Sequence, residues 1–199
     1  MAGSVEPTVD PEAEARAYLE ESARNATSLL EADLPVLAAK AGGILAETIR
    51  GGGTVLFCGN GGSAADAQHL AAELVGRLDA GRDRDPLPGL ALTTDTSALT
   101  AVSNDFGFEE VFARQIRGLS RPGDALVCLS TSGRSSNVLR AGDAARSAGL
   151  RVVALVGPSA SPLDDYADVC LHVPGGSSGH IQQGHITLGH LLCRLAETG

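Results

Sequence analysis

No tryptophan occurs in this sequence, and only two tyrosines and four phenylalanines are spread over its 199 residues. Stacking platforms for bases or sugar rings are therefore scarce, and the core has to be built from Leu, Val and Ala. Basic residues are also few: 15 Lys and Arg stand against 24 Asp and Glu, a formal net charge of -9. That balance argues against a general nucleic-acid binder, whose affinity rests on clustered cations. An anionic ligand would have to be held locally, by helix N-termini and loop amides. The four cysteines, Cys58, Cys128, Cys170 and Cys193, have no CxxC spacing and read as reduced residues of strands and helices. No charged-then-apolar leader precedes a cleavage site, and no run reaches the ~18 apolar residues of a membrane span. These absences predict a soluble, cytoplasmic protein with neither nucleic acid nor membrane as partner.

The length suits one domain with a well-buried core and is too short for two large ones. Residues 1–9 mix Gly, Ser, Pro and acids without periodicity and are expected to be a flexible tail, leaving 10–199 as a single domain. Asp10-Pro11 supplies an N-cap and an N1 proline. Helical periodicity then runs to Arg50, with an interruption near Ala26 to Asp33, and Gly51-Gly52-Gly53 ends it. Leu30, Leu34, Leu37, Ile44, Leu45 and Ile49 suit helices packed against something larger, such as another subunit. Five apolar runs follow, at 54–58, 89–92, 125–129, 151–156 and 169–173, separated by helical stretches near 63–78, 108–118, 135–148 and 162–166 and followed by one at 179–197. Continuous apolar strands alternating with helices predict an α/β fold with a parallel sheet covered on both faces. Ligands of such folds bind beyond the carboxyl ends of the strands.

Two strand-to-helix loops lie at those ends. Gly59-Asn60-Gly61-Gly62-Ser63 follows the first strand, where small residues let backbone amides and a helix dipole face an anion. It lacks the Lys-Ser/Thr of a nucleotide P-loop and is not GxGxxG. Ser130-Thr131-Ser132-Gly133-Arg134-Ser135 follows the third strand, and four hydroxyls at a helix N-terminus suit the three acceptor oxygens of a phosphate monoester. Ordinary capping by Ser132 or Ser135 accounts for one of those hydroxyls and not for four. Together the loops predict a phosphorylated small molecule as ligand.

His69 and Glu73, spaced i, i+4, share one helix face and suit either two ligands of one metal, an acid/base pair or a surface contact. The final helix carries Gln182, His185 and His190 in a run of small and apolar residues. Gln182 and His190 are separated by roughly 12 Å of helix rise, so one ion would accept both only with stretched side chains, and contributions from two chains are the natural alternative. His185 reads as structural. Asn104-Asp105, before Phe106-Gly107-Phe108, are hydroxyl-binding groups or simple turn chemistry in a loop after a short helix.

The segments CGNGGSAADAQHLAAELVGR, SNDFGF, LSTSGRSSNVL and HIQQGHITLGH, in this order, closely resemble the phosphoheptose isomerase family of the sugar isomerase (SIS) domain superfamily, and the resemblance extends from about residue 10 to residue 196. The resemblance implies a flavodoxin-like three-layer α/β/α sandwich around a five-stranded parallel sheet, with N-terminal packing helices. It also implies a homotetramer, Zn²⁺ at the site, and interconversion of sedoheptulose 7-phosphate with D-glycero-D-manno-heptose 7-phosphate. By motif position, Asn60, Gly61, Gly62 and Ser63 would contact substrate, Ser130, Thr131, Ser132 and Ser135 its phosphate, and Asn104 and Asp105 its sugar chain. Arg77 matches a site arginine, and Gln182 would also bind substrate. His69, Glu73, Gln182 and His190 would be the metal ligands, with Glu73 and His190 the catalytic pair. The chain departs from the family at His180-Ile181-Gln182-Gln183, where many members carry an Arg and an acidic residue. The rival reading is a non-catalytic SIS-domain protein that binds phosphosugars or associates with a replication initiator. Relatives of that kind lack the Glu and the His found here at 73 and 190.

Overall fold

Strands that are apolar on both faces need a cover on each side, and helices supply it here. The computed structural model describes residues 10–31 and 33–198, so the expected tail at 1–9 lies outside the described residues. The elements are α1 (Pro11–Ser28), α2 (Leu34–Arg50), β1 (Val55–Gly59), α3 (Gly62–Val75), β2 (Gly89–Ala91), α4 (Thr96–Phe106), α5 (Val111–Leu119), β3 (Ala125–Ser130), α6 (Ser136–Ser147), β4 (Arg151–Val156), β5 (Val169–His172) and α7 (Ser178–Thr198). Short 3₁₀ turns occupy Phe108–Glu110 and Pro162–Asp165. The sheet is wholly parallel in the order β2-β1-β3-β4-β5. Its register sets Cys58 beside Cys128 and Gly59 beside Leu129, so the loops after β1 and β3 emerge as neighbours.

Alternate strand residues feed two separate cores. Val55, Phe57, Val127, Leu129 and Leu155 pack with Leu45, Leu70 and Leu192 of α2, α3 and α7. Leu56, Cys58, Leu126, Val152 and Ala154 pack with Phe112 and Ile116 of α5 and Val138 and Ala145 of α6. This is the expected three-layer sandwich. The break between α1 and α2 also falls inside the expected interval. The two helices differ in what they bury, however. α2 buries Leu34, Ala38, Ala41, Ile44 and Leu45, whereas α1 buries nothing and exposes Tyr18 and Leu19.

One expectation is corrected. Asn104 and Asp105 belong to the last turn of α4 and not to a loop. Asp95 accepts a hydrogen bond from the Ala98 amide at 2.9 Å, nucleating the helix, and Gly107, at φ 90°, ends it. The Ser, Thr, Asn and Asp content of this segment favours turns, and the Asp95 cap overrides that preference. Among the described residues, no helix is long and apolar enough to cross a membrane.

The last helix brings its side chains to the sheet by close approach. A Cβ on Gly189 would lie 2.5 Å from Leu70 Cδ1, so only glycine lets α7 and α3 meet here. One turn earlier, His185 is fully buried, and neither ring nitrogen has an aligned hydrogen bond. Burial pushes its pKa down to about 4 from 6.5, with a small opposing pull from the Val156 carbonyl. The unfolded chain takes up this proton near the ordinary value and the folded chain resists until about 4. Stability should therefore fall as pH drops through that window, by roughly 3 kcal/mol for this group. Urea midpoints measured across the window should flatten in His185→Leu. An unchanged slope would remove His185 from the account.

Candidate active site at the ends of β1 and β3

The helices that follow the two loops both begin without a side-chain cap. Gly61, at the N-cap of α3, has no side chain to offer, and Ser135, at the N-cap of α6, makes no capping hydrogen bond. The capping explanation of the serine loop therefore fails at the position where it was strongest. Ala64 and Val138 bond back to the carbonyls of Gly61 and Ser135, and the amides ahead of them in each first turn stay open to an anion, with the positive end of each helix dipole behind them. Ser130 Oγ accepts from the Gly133 amide at 3.1 Å and lies 3.5 Å from Ser135 Oγ, while Ser132 Oγ accepts from the Arg134 amide at 3.2 Å. Thr131 gives its carbonyl to the Gly157 amide at 3.1 Å, tying the loop to the end of β4. Gly133 sits at φ 60°, and a Cβ there would run into the Ser161 side chain.

The loops are locked to each other. Asn60 and Asn137 exchange amide hydrogen bonds, each 2.8 Å long, between the first loop and the first turn of α6. Asn137 is only 2 % exposed and was not singled out in the sequence. Its signal was a polar residue placed just inside a helix start, which reads equally well as solvated. Ser63 is also buried, and Asn60 half-buried.

About two turns along α3, His69 Nε2 lies 3.0 Å from Glu73 Oε1, and His190 of α7 brings its own Nε2 to 3.2 Å from His69 Nε2. The rings are 4.9 Å apart, edge to face. Two imidazole nitrogens and a carboxylate oxygen thus point at one place, where at most a few protons can keep their lone pairs apart. Ligand atoms of all three lie within 4.8 Å of one another, and the donor set is that of a catalytic Zn²⁺ site with room for further ligands. The residues present fit such an ion. Burial, followed by the neighbouring His69 charge, lowers the His190 pKa, with Glu73 pulling the other way. Asp66, one turn before His69, has its carboxyl pKa raised by burial, against the pull of His69, and its Oδ2 is buried without a partner.

The Gln182 amide rests on the first loop, within 2.6 to 2.8 Å of where a Cβ on Gly62 would be. The three other expected ligands, His69, Glu73 and His190, come together within one chain. A rise of roughly 12 Å along α7 separates Gln182 from His190. Arg77 lies exposed in the turn after α3, with Nη1 3.5 Å from the Ala80 carbonyl. Asn104 and Asp105 are exposed and bonded to each other at 2.8 Å. The departure at 180–183 bears on α1: His180 stacks on Tyr18 with ring centroids 4.5 Å apart, its Nδ1 3.2 Å from Glu21, and Gln183 donates to the Tyr18 hydroxyl at 3.3 Å.

Comparison with known proteins gives a consistent picture. Residues 17–157 match the SIS domain family. The phosphoheptose isomerase of Rhodospirillum rubrum is 55% identical over 159 residues, covering 80% of this chain and 84% of that protein. The solved phosphoheptose isomerase of Neisseria gonorrhoeae superposes with a TM-score of 0.88 at 39% identity, over 96% of this chain and 100% of that one. The corresponding enzyme of Francisella tularensis gives 0.90 at 34% identity, with the same coverage.

The serine loop offers a direct test of the anion site. Gly133→Ala forces a side chain into the left-handed region at about 1–2 kcal/mol and displaces Ser161. Affinity for a sugar phosphate, measured by calorimetry, should fall at least about tenfold while circular dichroism stays unchanged. Undiminished binding would show that the loop does not hold the anion.

Proposed function

Because the chain belongs to the phosphoheptose isomerase family of SIS-domain proteins, we propose that it interconverts sedoheptulose 7-phosphate and D-glycero-D-manno-heptose 7-phosphate in the heptose biosynthesis of the cytoplasm. The observation that carries this reading is the meeting of His69, Glu73 and His190 beside two uncapped helix N-termini. One part of such a site holds a phosphate, and the other can move protons.

Ser130, Thr131, Ser132 and Ser135, with the open amides of α6, hold the phosphate. That anchor lies at the end of the sugar remote from C1, so its binding energy orients the reacting end. Asn60, Gly61, Gly62, Ser63 and Gln182 line the path between phosphate and cluster and bind hydroxyls, with Arg77, Asn104 and Asp105 completing the contacts. Glu73 removes the proton from C1 of the ketose and returns it to C2, passing through an enediol. His190 accepts the proton leaving the C1 hydroxyl and delivers it to the oxygen on C2. Its lowered pKa keeps the ring neutral near pH 7 and able to accept. His69, Glu73, Gln182 and His190 would hold a Zn²⁺ ion, and the ion would supply Lewis-acid polarisation of the carbonyl.

The protein assembles as a homo-oligomer, a tetramer on family grounds. Support comes from α1, an 18-residue helix without a buried residue, whose exposed Leu19 and the open part of Tyr18 another subunit would cover.

Purified protein incubated with sedoheptulose 7-phosphate should form the aldoheptose phosphate, followed by NMR, with the rate responding to Zn²⁺ and to a chelator. No product under any metal condition would sink the assignment. Glu73→Gln should lower kcat by about 10²–10⁴-fold, the usual contribution of a positioned base, with the fold intact. A variant turning over at a tenth of the parent rate would exclude Glu73 as the base. Since Glu73 and His190 meet within one chain, oligomers mixed from Glu73→Gln and His190→Asn protein should recover no activity. Recovery in proven mixed oligomers would mean that the working site draws the pair from two chains.

A further inference from the structure

A second convergence of ligand atoms lies away from the His69 cluster, on the other side of the serine loop. Cys170 and His172 alternate with buried Val169 and Leu171 on β5, so both side chains face the α6 layer. β5 is an edge strand, and the turn Pro162–Asp165 that packs beside it brings Asp164 to the same place. One ligand atom from each of Asp164, Cys170 and His172 lies within 4.8 Å of the others, and all three residues are half-buried.

The orientation of these groups is fixed from behind. His172 Nδ1 lies 3.2 Å from the Gly157 carbonyl, and a carbonyl only accepts, so Nδ1 carries the hydrogen. In the neutral ring Nε2 then presents a lone pair, 3.0 Å from Asp164 Oδ1. That oxygen is buried and has no aligned hydrogen bond. Its sister Oδ2 accepts the Ser161 amide at 2.7 Å, which holds the carboxylate in place. Backbone groups that orient an imidazole and a carboxylate toward a shared point are the usual outer support of a metal site. The Cys170 thiol faces the same carboxylate, and burial and the Asp164 charge hold its pKa high, a situation that a divalent cation reverses.

We infer that Asp164, Cys170 and His172 form a second metal site, selective for a borderline-soft divalent ion such as Zn²⁺ or Co²⁺, that braces the wall of the serine loop. Thiolate, imidazole and carboxylate together favour that class of ion over Mg²⁺ or Ca²⁺. Three ligands within nine residues of chain leave a fourth position for water. Binding releases the thiol proton to solvent as the thiolate–metal bond forms. The brace follows from two contacts already described. Gly157, whose carbonyl orients His172, donates its amide to Thr131, and Ser161, whose amide orients Asp164, packs against Gly133.

Co²⁺ titration of metal-stripped protein distinguishes this site from the first, because only this one contains a thiol ligand. The parent should show a thiolate-to-cobalt charge-transfer band and bind one more equivalent of Co²⁺ than Cys170→Ser, in which the band is lost. Cys193→Ala, which removes the thiol nearest the His69 cluster, should keep the band. His172→Gln should weaken the Co²⁺ affinity of this site at least tenfold, and it serves as the independent check where Cys170→Ser does not fold by circular dichroism. Absence of the band in the parent leaves Asp164 and His172 as a plain ion pair and overturns the inference. So does a band that survives in folded Cys170→Ser, or an affinity untouched in His172→Gln.

Discussion

The reciprocal amide pair between Asn60 and Asn137 is the constraint on which the site depends. Each loop alone is a flexible, glycine-containing link between a strand and a helix, and each would find several conformations of similar energy. The pair removes that freedom at one point for both. A buried amide and a half-buried one satisfy each other only in a narrow geometry, and leaving the buried Asn137 amide unpaired costs about 1–3 kcal/mol. The α3 and α6 N-termini are thereby set at a fixed separation, with their open amides facing a common space. A sheet register that places Gly59 beside Leu129 brings the loops within reach, and the amide pair turns proximity into a defined shape.

The cluster of His69, Glu73 and His190 is built by a different device. α3 offers His69 and Glu73 on one face, as helix periodicity requires. His190 reaches them because α7 packs unusually close, with Leu70 occupying the space that any side chain at 189 would need. The loops and the cluster thus rest on separate contacts. Polar pairing sets the loops, and the absence of a side chain sets the helices.

The strands, the loops and the His69–Glu73 pair could be read from the sequence because each is local: period, glycine spacing and an i, i+4 repeat are all decided within a few residues. α4 was foreshortened because its Ser, Thr, Asn and Asp content resembles turn chemistry, and a single Asp95 cap outweighs that resemblance. The partner of Asn60 was illegible, since nothing in 60 or 137 states which of many polar residues lies opposite. The position of Gln182 beside the first loop was illegible for a related reason. Helix rise correctly said that it and His190 are far apart, and the sequence could not say that the first loop would be waiting where Gln182 ends. Asp66 and Ser161 matter through their surroundings, and their residue types carry no signal by themselves.

The His69–His190 contact spans 121 positions of the chain. Because His190 sits on α7, the last element of the described chain, the cluster exists only where α7 has docked against Leu70. It is therefore the part of the site that any loosening of the C-terminal helix would undo first.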